Sequence, residues 1–182
     1  MALRNTTLRW GSLAQLFHWL IVALVITQFV LGALSASLPA ASLKKFTWLT
    51  PHKSIGITIL ALAVLRLGWR WMNPTPPLPN TLKPYERGLA HFTHIALYVL
   101  LFVMPLTGWA MSSARKFPVS WFGIVQLPDF VPRSTPLYET LHTTHALLAW
   151  TLGVIAVLHA AAAFKHHFVL KDDVLKRMTP FT

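Results

Sequence analysis

Cysteine is absent from the 182 residues. That excludes disulfides, thiolate-held iron–sulfur clusters, Cys-containing zinc sites and covalent c-type haem attachment. Charge is scarce too: 12% of residues are charged, and Asp and Glu together number 5. A soluble domain needs a more charged surface. With 54% hydrophobic residues and a mean hydropathy of +0.53, the composition is that of an integral membrane protein in contact with lipid. The formal charge of +11 could suit nucleic acid. The basic residues, however, lie in the gaps between apolar runs and no nucleic-acid motif accompanies them. The charge is a topology signal, and no nucleic-acid partner is expected.

What is present is four apolar stretches. The first, over residues 14–36, lies in a segment without charge from Gly11 to Ser42 and is long enough to cross a bilayer. Arg4, Arg9 and the small residues of LSASLPA imitate a signal peptide. The apolar run is longer than a signal core and holds His18 and Gln28, so it is expected to stay. Lys44, Lys45, Trp48 and Pro51 read as a polar connector. The second span, 53–72, is apolar over Ser54–Leu65 and reaches full length only through Arg66, snorkelling or paired. Asn73–Pro84 is a helix stop. The third span covers 88–112, with Pro105 inside, and the fourth 141–165. Between them the longest connector, Ser113 to about Tyr138, reads as a folded-over surface loop or a short interfacial helix.

The expectation is one all-α domain over 1–182, a transmembrane four-helix bundle. Arg4, Arg9, Arg66, Arg70, Lys83, Arg87, Lys165, Lys171, Lys176 and Arg177 fall on one side. Lys44, Lys45, Lys53, Arg115, Lys116 and Arg133 fall on the other. The first set is larger, so both termini are expected in the cytoplasm.

Ionisable side chains inside apolar spans are costly and usually functional. His145 and His159 share the fourth span at a spacing of fourteen residues, so both leave one face about 21 Å apart. The topology puts His18 at the depth of His159 and His52 at the depth of His145. Two facing imidazoles in a bundle suit an iron porphyrin with both axial positions filled, a site for electron transfer. Zinc wants three or four converging ligands, and neither depth offers them. The competing reading of each His alone is a structural hydrogen bond or a proton relay.

Arg66, Arg70 and Lys165 towards the cytoplasmic depth and Lys53 at the outer one could pair with haem propionates, or simply anchor the helices. His94 could bind a propionate or a quinone, whereas His91 reads as structural or interfacial. His142, His166 and His167 are expected to meet water at span ends. Met104 and Met111 read as packing, and the Trp residues as interface belts.

His18-Trp19, HKSIG at His52–Gly56, GLAHFTH at Gly88–His94 and LHAAAAFKHHFVLKDDVLKRM near the end resemble the bacterial cytochrome b561 family. The likeness runs from His18 to Met178. It implies two non-covalent haem b groups, bound between the helices by His18, His52, His145 and His159. It also implies an inner-membrane location, electron exchange with the quinone pool, with ubiquinone as a substrate, and superoxide as one donor. The other readings left open are a cytochrome b subunit of a larger redox complex and a haem-free transporter or scaffold. A donor of protein or small-molecule type and an oligomer are both compatible with these residues. Arg115, Lys116 and Trp121 in the long outer connector could guide an anionic donor.

Overall fold

The computed structural model describes residues 2–39, 42–79 and 82–179. Helices α1 (Ser12–Ala36), α2 (Leu43–Trp71), α3 (Pro84–Ala114) and α4 (Thr135–Phe164) follow one another, with a small hairpin between the last two. They hold 25 to 31 residues each, about 37–46 Å at the helical rise, against a hydrocarbon core of about 30 Å. All four are apolar enough to cross a membrane. Ile26, Val64, Trp150, Val157 and Leu158 are exposed on their outer faces. In lipid such exposure costs nothing, because acyl chains are as apolar as the side chains.

The helices begin earlier than hydropathy alone suggests. Lys44, Lys45, Trp48 and Pro51, expected in a connector, form the first turns of α2. Phe46 stacks on Phe117 with ring centroids 5.2 Å apart, and such packing stabilises turns that propensity alone would not hold. Pro51 removes only its own N–H, so the helix continues through it. At the start of α4 the Ser134 hydroxyl accepts from the Leu137 N–H at 3.3 Å, and Pro136 sits in the first turn. The backbone N–H of Lys83 donates to the Glu86 carboxylate at 3.1 Å and closes the start of α3. After α4 the chain widens into a π-helical turn, Lys165–Leu170.

The chain packs as two hairpins, α1 on α2 and α3 on α4, joined along α2 and α3; no comparable packing ties α4 to α1 or to α2. Both termini lie at one end of the bundle. The Gln15 amide donates to the Arg177 carbonyl at 3.3 Å and the Trp19 indole to the Met178 carbonyl at 2.9 Å. Asn5 donates to the Pro74 carbonyl at 3.0 Å, which brings the α2–α3 connector to that same end. Gly11 is required there, since a Cβ would stand 2.3 Å from the Leu3 carbonyl oxygen.

The long connector at the opposite end contains no helix. Strands β1 (Ser120–Trp121) and β2 (Val125–Gln126) pair antiparallel. The root of this hairpin is among the best-buried parts of the chain: Ser54, Ser113, Ala114 and Val119 are each at most 3% exposed.

Candidate functional site

Fourteen residues return a helix to nearly the same face, about 21 Å further along. Each of the four helices uses that interval. It separates His18 from Gly32 on α1, His52 from Arg66 on α2, His94 from Gly108 on α3, and His145 from His159 on α4. Antiparallel packing sorts these eight positions into two levels. His18, Arg66, His94 and His159 meet near the terminal end. Gly32, His52, Gly108 and His145 meet near the opposite, loop end.

One geometry is repeated at both levels. His18 faces His159 with ring centroids 6.3 Å apart and planes at 75°. His52 faces His145 at 6.3 Å and 73°. This is too long for an N–H···N bond between the rings, whose nitrogens would lie about 3 Å apart. Two imidazole–metal bonds of about 2 Å each, with the ring centres set back behind the nitrogens, make up a separation of this size. Both pairs span helices that do not pack closely, α1 with α4 and α2 with α4.

The outer nitrogens bear on the same question. Thr107 spends its single hydroxyl proton on the Met104 carbonyl at 2.8 Å. Towards His145 Nδ1, 3.0 Å away, it can therefore only accept. In that arrangement His145 carries its proton on Nδ1 and leaves Nε2 with a free lone pair, the tautomer a metal requires. His52 Nδ1 is buried without a partner. At the terminal level Arg66 Nη1 donates to His18 Nδ1 at 2.8 Å and Nε donates to the Tyr98 hydroxyl at 3.2 Å. Ligation through His18 Nε2 puts a proton on Nδ1, which ends the first of these bonds and frees one arm of Arg66 for an anionic group. At the loop level His145 fits as it stands, while Nδ1 of His52 has no acceptor; the terminal level fits with that one exchange at Arg66.

Two glycines give the loop-level rings room. A Cβ on Gly32 would lie 3.3 Å from His52 Cε1, and one on Gly108 would lie 3.2 Å from His145 Cε1. Between the levels the Phe29 ring crosses from α1 to α4, with its Cζ 3.2 Å from where a Cβ on Gly153 would be. Sequence reasoning missed Thr107, Tyr98, Phe29 and these glycines. The signal for Gly32 and Gly108 was available: both sit fourteen residues after a histidine.

The other expected residues are placed as follows. Arg70 lies over the Trp10 and Tyr98 rings at 5.7 and 5.8 Å. Lys53 donates to the Phe117 carbonyl at 3.1 Å and covers that ring at 4.2 Å, so it faces the connector. Lys165 pairs with Glu86 at 3.7 Å. His94 stands edge-on to His159, 5.4 Å away, and with His91, Arg70 and Tyr98 lines a cleft of about 310 Å³ between α2 and α3. His142 stacks on Tyr138, His166 pairs with Asp172, and His167 meets Phe168. Among the described residues no group of three or more His, Asp or Glu is arranged to hold a metal ion.

A membrane-spanning bundle with two facing imidazole pairs at two depths defines a class, the helical membrane cytochromes. The chain belongs to the prokaryotic cytochrome b561 family, which it matches over residues 9–181. It is 37% identical over 179 residues to "Cytochrome b561 homolog 2" of Escherichia coli (strain K12), covering 98% of this chain and 95% of that one. It is 35% identical over 163 residues to "Probable superoxide oxidase CybB" of Yersinia pestis, covering 90% and 91%. "Cytochrome b562" of Cereibacter sphaeroides is 24% identical over 172 residues, 88% of this chain and 89% of the other. The protein is a membrane cytochrome b of electron transfer.

The Thr107 contact yields a prediction. Thr107→Val keeps the side-chain shape and removes the acceptor for His145 Nδ1–H. Where His145 ligates a haem, losing one hydrogen bond of about 1 kcal/mol should raise that haem's midpoint potential by roughly 40 mV and leave any centre at the terminal level unmoved. A redox titration of the two centres measures both. Equal shifts in the two would remove Thr107 from the site.

Proposed function

We propose that the chain holds two non-covalent haem b groups. His18 and His159 would hold one at the terminal level, and His52 and His145 the other at the loop level, so that the chain would serve electron transfer between a donor at the loop side and membrane quinone. The observation that carries this reading is the repetition of the 6.3 Å pair at both levels. Haem b, when bound, supplies a one-electron iron couple with both axial positions filled. The chain's own residues do the rest. Four imidazoles bind, Thr107 holds one tautomer, Gly32 and Gly108 make room, and Phe29 stands between the levels. Arg66 and Arg70 near the terminal level, and Lys53 near the loop level, are proposed to balance the haem carboxylates, Lys53 by leaving the Phe117 carbonyl.

The larger cationic set at the terminal end supports cytoplasmic termini in a bacterial inner membrane. The loop side then faces the periplasm. The name of the Yersinia relative supports superoxide as the donor. At that side Lys44, Lys45, Lys53, Arg115, Lys116 and Arg133 outnumber Asp129 and Glu139, a surplus that attracts an anion. Arg115 and Lys116 themselves are ion-paired, with Glu139 at 3.3 Å and Asp129 at 3.2 Å. The proposed steering therefore belongs to the whole surface more than to those two residues.

The deciding experiment is haem content per purified chain, with oxidised and dithionite-reduced visible spectra, followed by superoxide addition in the presence of a quinone. The expected result is two haems, low-spin in both states, and quinone reduction by superoxide. A colourless protein after expression with ample haem would overturn the cytochrome reading. Two haems that superoxide cannot reduce would overturn the donor alone.

A further inference from the structure

The hairpin between α3 and α4 carries a surface that electron transfer does not use. Residues 117–128, FPVSWFGIVQLP, contain no charge. Its turn is built on two positive φ angles, 49° at Phe122 and 75° at Gly123. Glycine adopts such angles freely, whereas for a bulky residue they are rare and must be held by the surroundings. Here Ser54 on α2 holds them. Its Oγ accepts from the Phe122 N–H at 3.0 Å and lies 3.0 Å from the Ser120 carbonyl, to which it can donate. The Ile124 N–H closes the turn on the Trp121 carbonyl at 2.9 Å. The Trp121 indole donates to the Thr58 hydroxyl at 3.0 Å.

These anchors set the depth of the hairpin. Lys53 is the last cation on α2 before Arg66, so the uncharged part of the span begins at Ser54. Ser54 holds the turn at that boundary. Thr58, which receives the indole, is four residues or about 6 Å further in. Non-helical backbone at such depth is tolerated where its polar groups are satisfied by protein, and the hydroxyl of Ser54 does this for the Phe122 N–H and the Ser120 carbonyl. The turn nevertheless leaves Phe122, Ile124 and Val125 uncovered, at 52%, 73% and 53% exposure. No charged residue lies within the run that carries them, and the Lys53 ammonium caps its first residue, Phe117. The neighbouring charges, Lys116 with Asp129 and Arg115 with Glu139, lie outside the uncharged run.

We propose that this hairpin is a re-entrant element that inserts Phe122, Ile124 and Val125 among the acyl chains of the leaflet at the loop end. Its partner is lipid. The strained Phe122 conformation keeps its ring outside the protein, in the bilayer.

The absence of native cysteine makes the test direct. Ile124→Cys and Val125→Cys, each carrying a nitroxide label, are placed in the full chain with its haems, in vesicles of phosphatidylethanolamine and phosphatidylglycerol. Label relaxation by oxygen, which partitions into lipid, is compared with relaxation by a water-soluble nickel chelate. Val157→Cys on the exposed face of α4 serves as the lipid reference, and Glu139→Cys as the aqueous one. Labels at 124 and 125 are expected to match the Val157 label, with oxygen strongly favoured. A match to Glu139 would place the hairpin in water and overturn the proposal. Shielding from both reagents, or dipolar broadening between labels, would also overturn it, by showing that protein or a second copy covers the turn.

Discussion

Replacing His52 with Ala is expected, on the proposed two-haem reading, to lower the haem content of the purified protein from two per chain to one, and replacing His159 with Ala to do the same at the other depth. Each removes one of two nitrogens facing each other across a gap of 6.3 Å between ring centres. A single imidazole is left to hold a flat group between helices that are not otherwise packed together. The sharper test is in pairs, because residues that act as one unit are not additive. His18→Ala with His159→Ala should cost no more haem than either alone, and likewise His52→Ala with His145→Ala. His52→Ala with His159→Ala crosses the levels and should leave none. His94 is the necessary control. Its ring is nearer to His159 than that of His18 is, at 5.4 Å, so a haem lost in His94→Ala but retained in His18→Ala would reassign the terminal pair.

The second large effect is expected at glycine. A Cβ at position 108 would stand 3.2 Å from His145 Cε1, and one at 32 would stand 3.3 Å from His52 Cε1. Leucine at either place adds three further carbons against a ligand ring. Overpacking of this kind costs about 1–3 kcal/mol, and the imidazole is what must move. Gly108→Leu and Gly32→Leu should therefore empty the loop level while the terminal haem keeps its spectrum and potential. Gly68, with nothing within 4 Å of where its Cβ would be, provides the contrast. Gly68→Leu should keep both haems, since there the change mainly improves helix propensity, by about 1 kcal/mol. Loss of both centres in Gly108→Leu would mean that glycine supports the bundle as a whole and not one level of it.

How much of this was legible beforehand differs from residue to residue. His145 and His159 declare themselves because imidazole inside an apolar span stands out and fourteen residues is a helical interval. Their pairing with His18 and His52 followed from counting span directions, since antiparallel helices align the start of one with the end of the next. The helix starts at Leu43 and Thr135 were obscured by charge. Lys44 and Lys45 look like a connector on any hydropathy scale, and only the stacking of Phe46 on Phe117 shows that the chain is already helical there. The hairpin at Ser120–Gln126 was read as loop or helix because two-residue strands leave no periodicity to detect. Arg66 is the instructive case: a cation in an apolar run signals snorkelling or a partner, and the partner, His18, lies 48 residues away.

By itself the sequence determined the class, four apolar spans with both termini on one side, and the four histidines at two depths. Hydropathy and helical period are local properties, so they can be read without neighbours. Tertiary structure alone decided the rest. It decided that Thr107 meets Nδ1 of His145, that glycines make room for the rings, and that the long connector turns back to anchor on Ser54 and Thr58. Each of these depends on groups brought within about 3 Å from distant parts of the chain. Hydrogen bonds and steric contacts act only at that range, so no reading of one segment contains them.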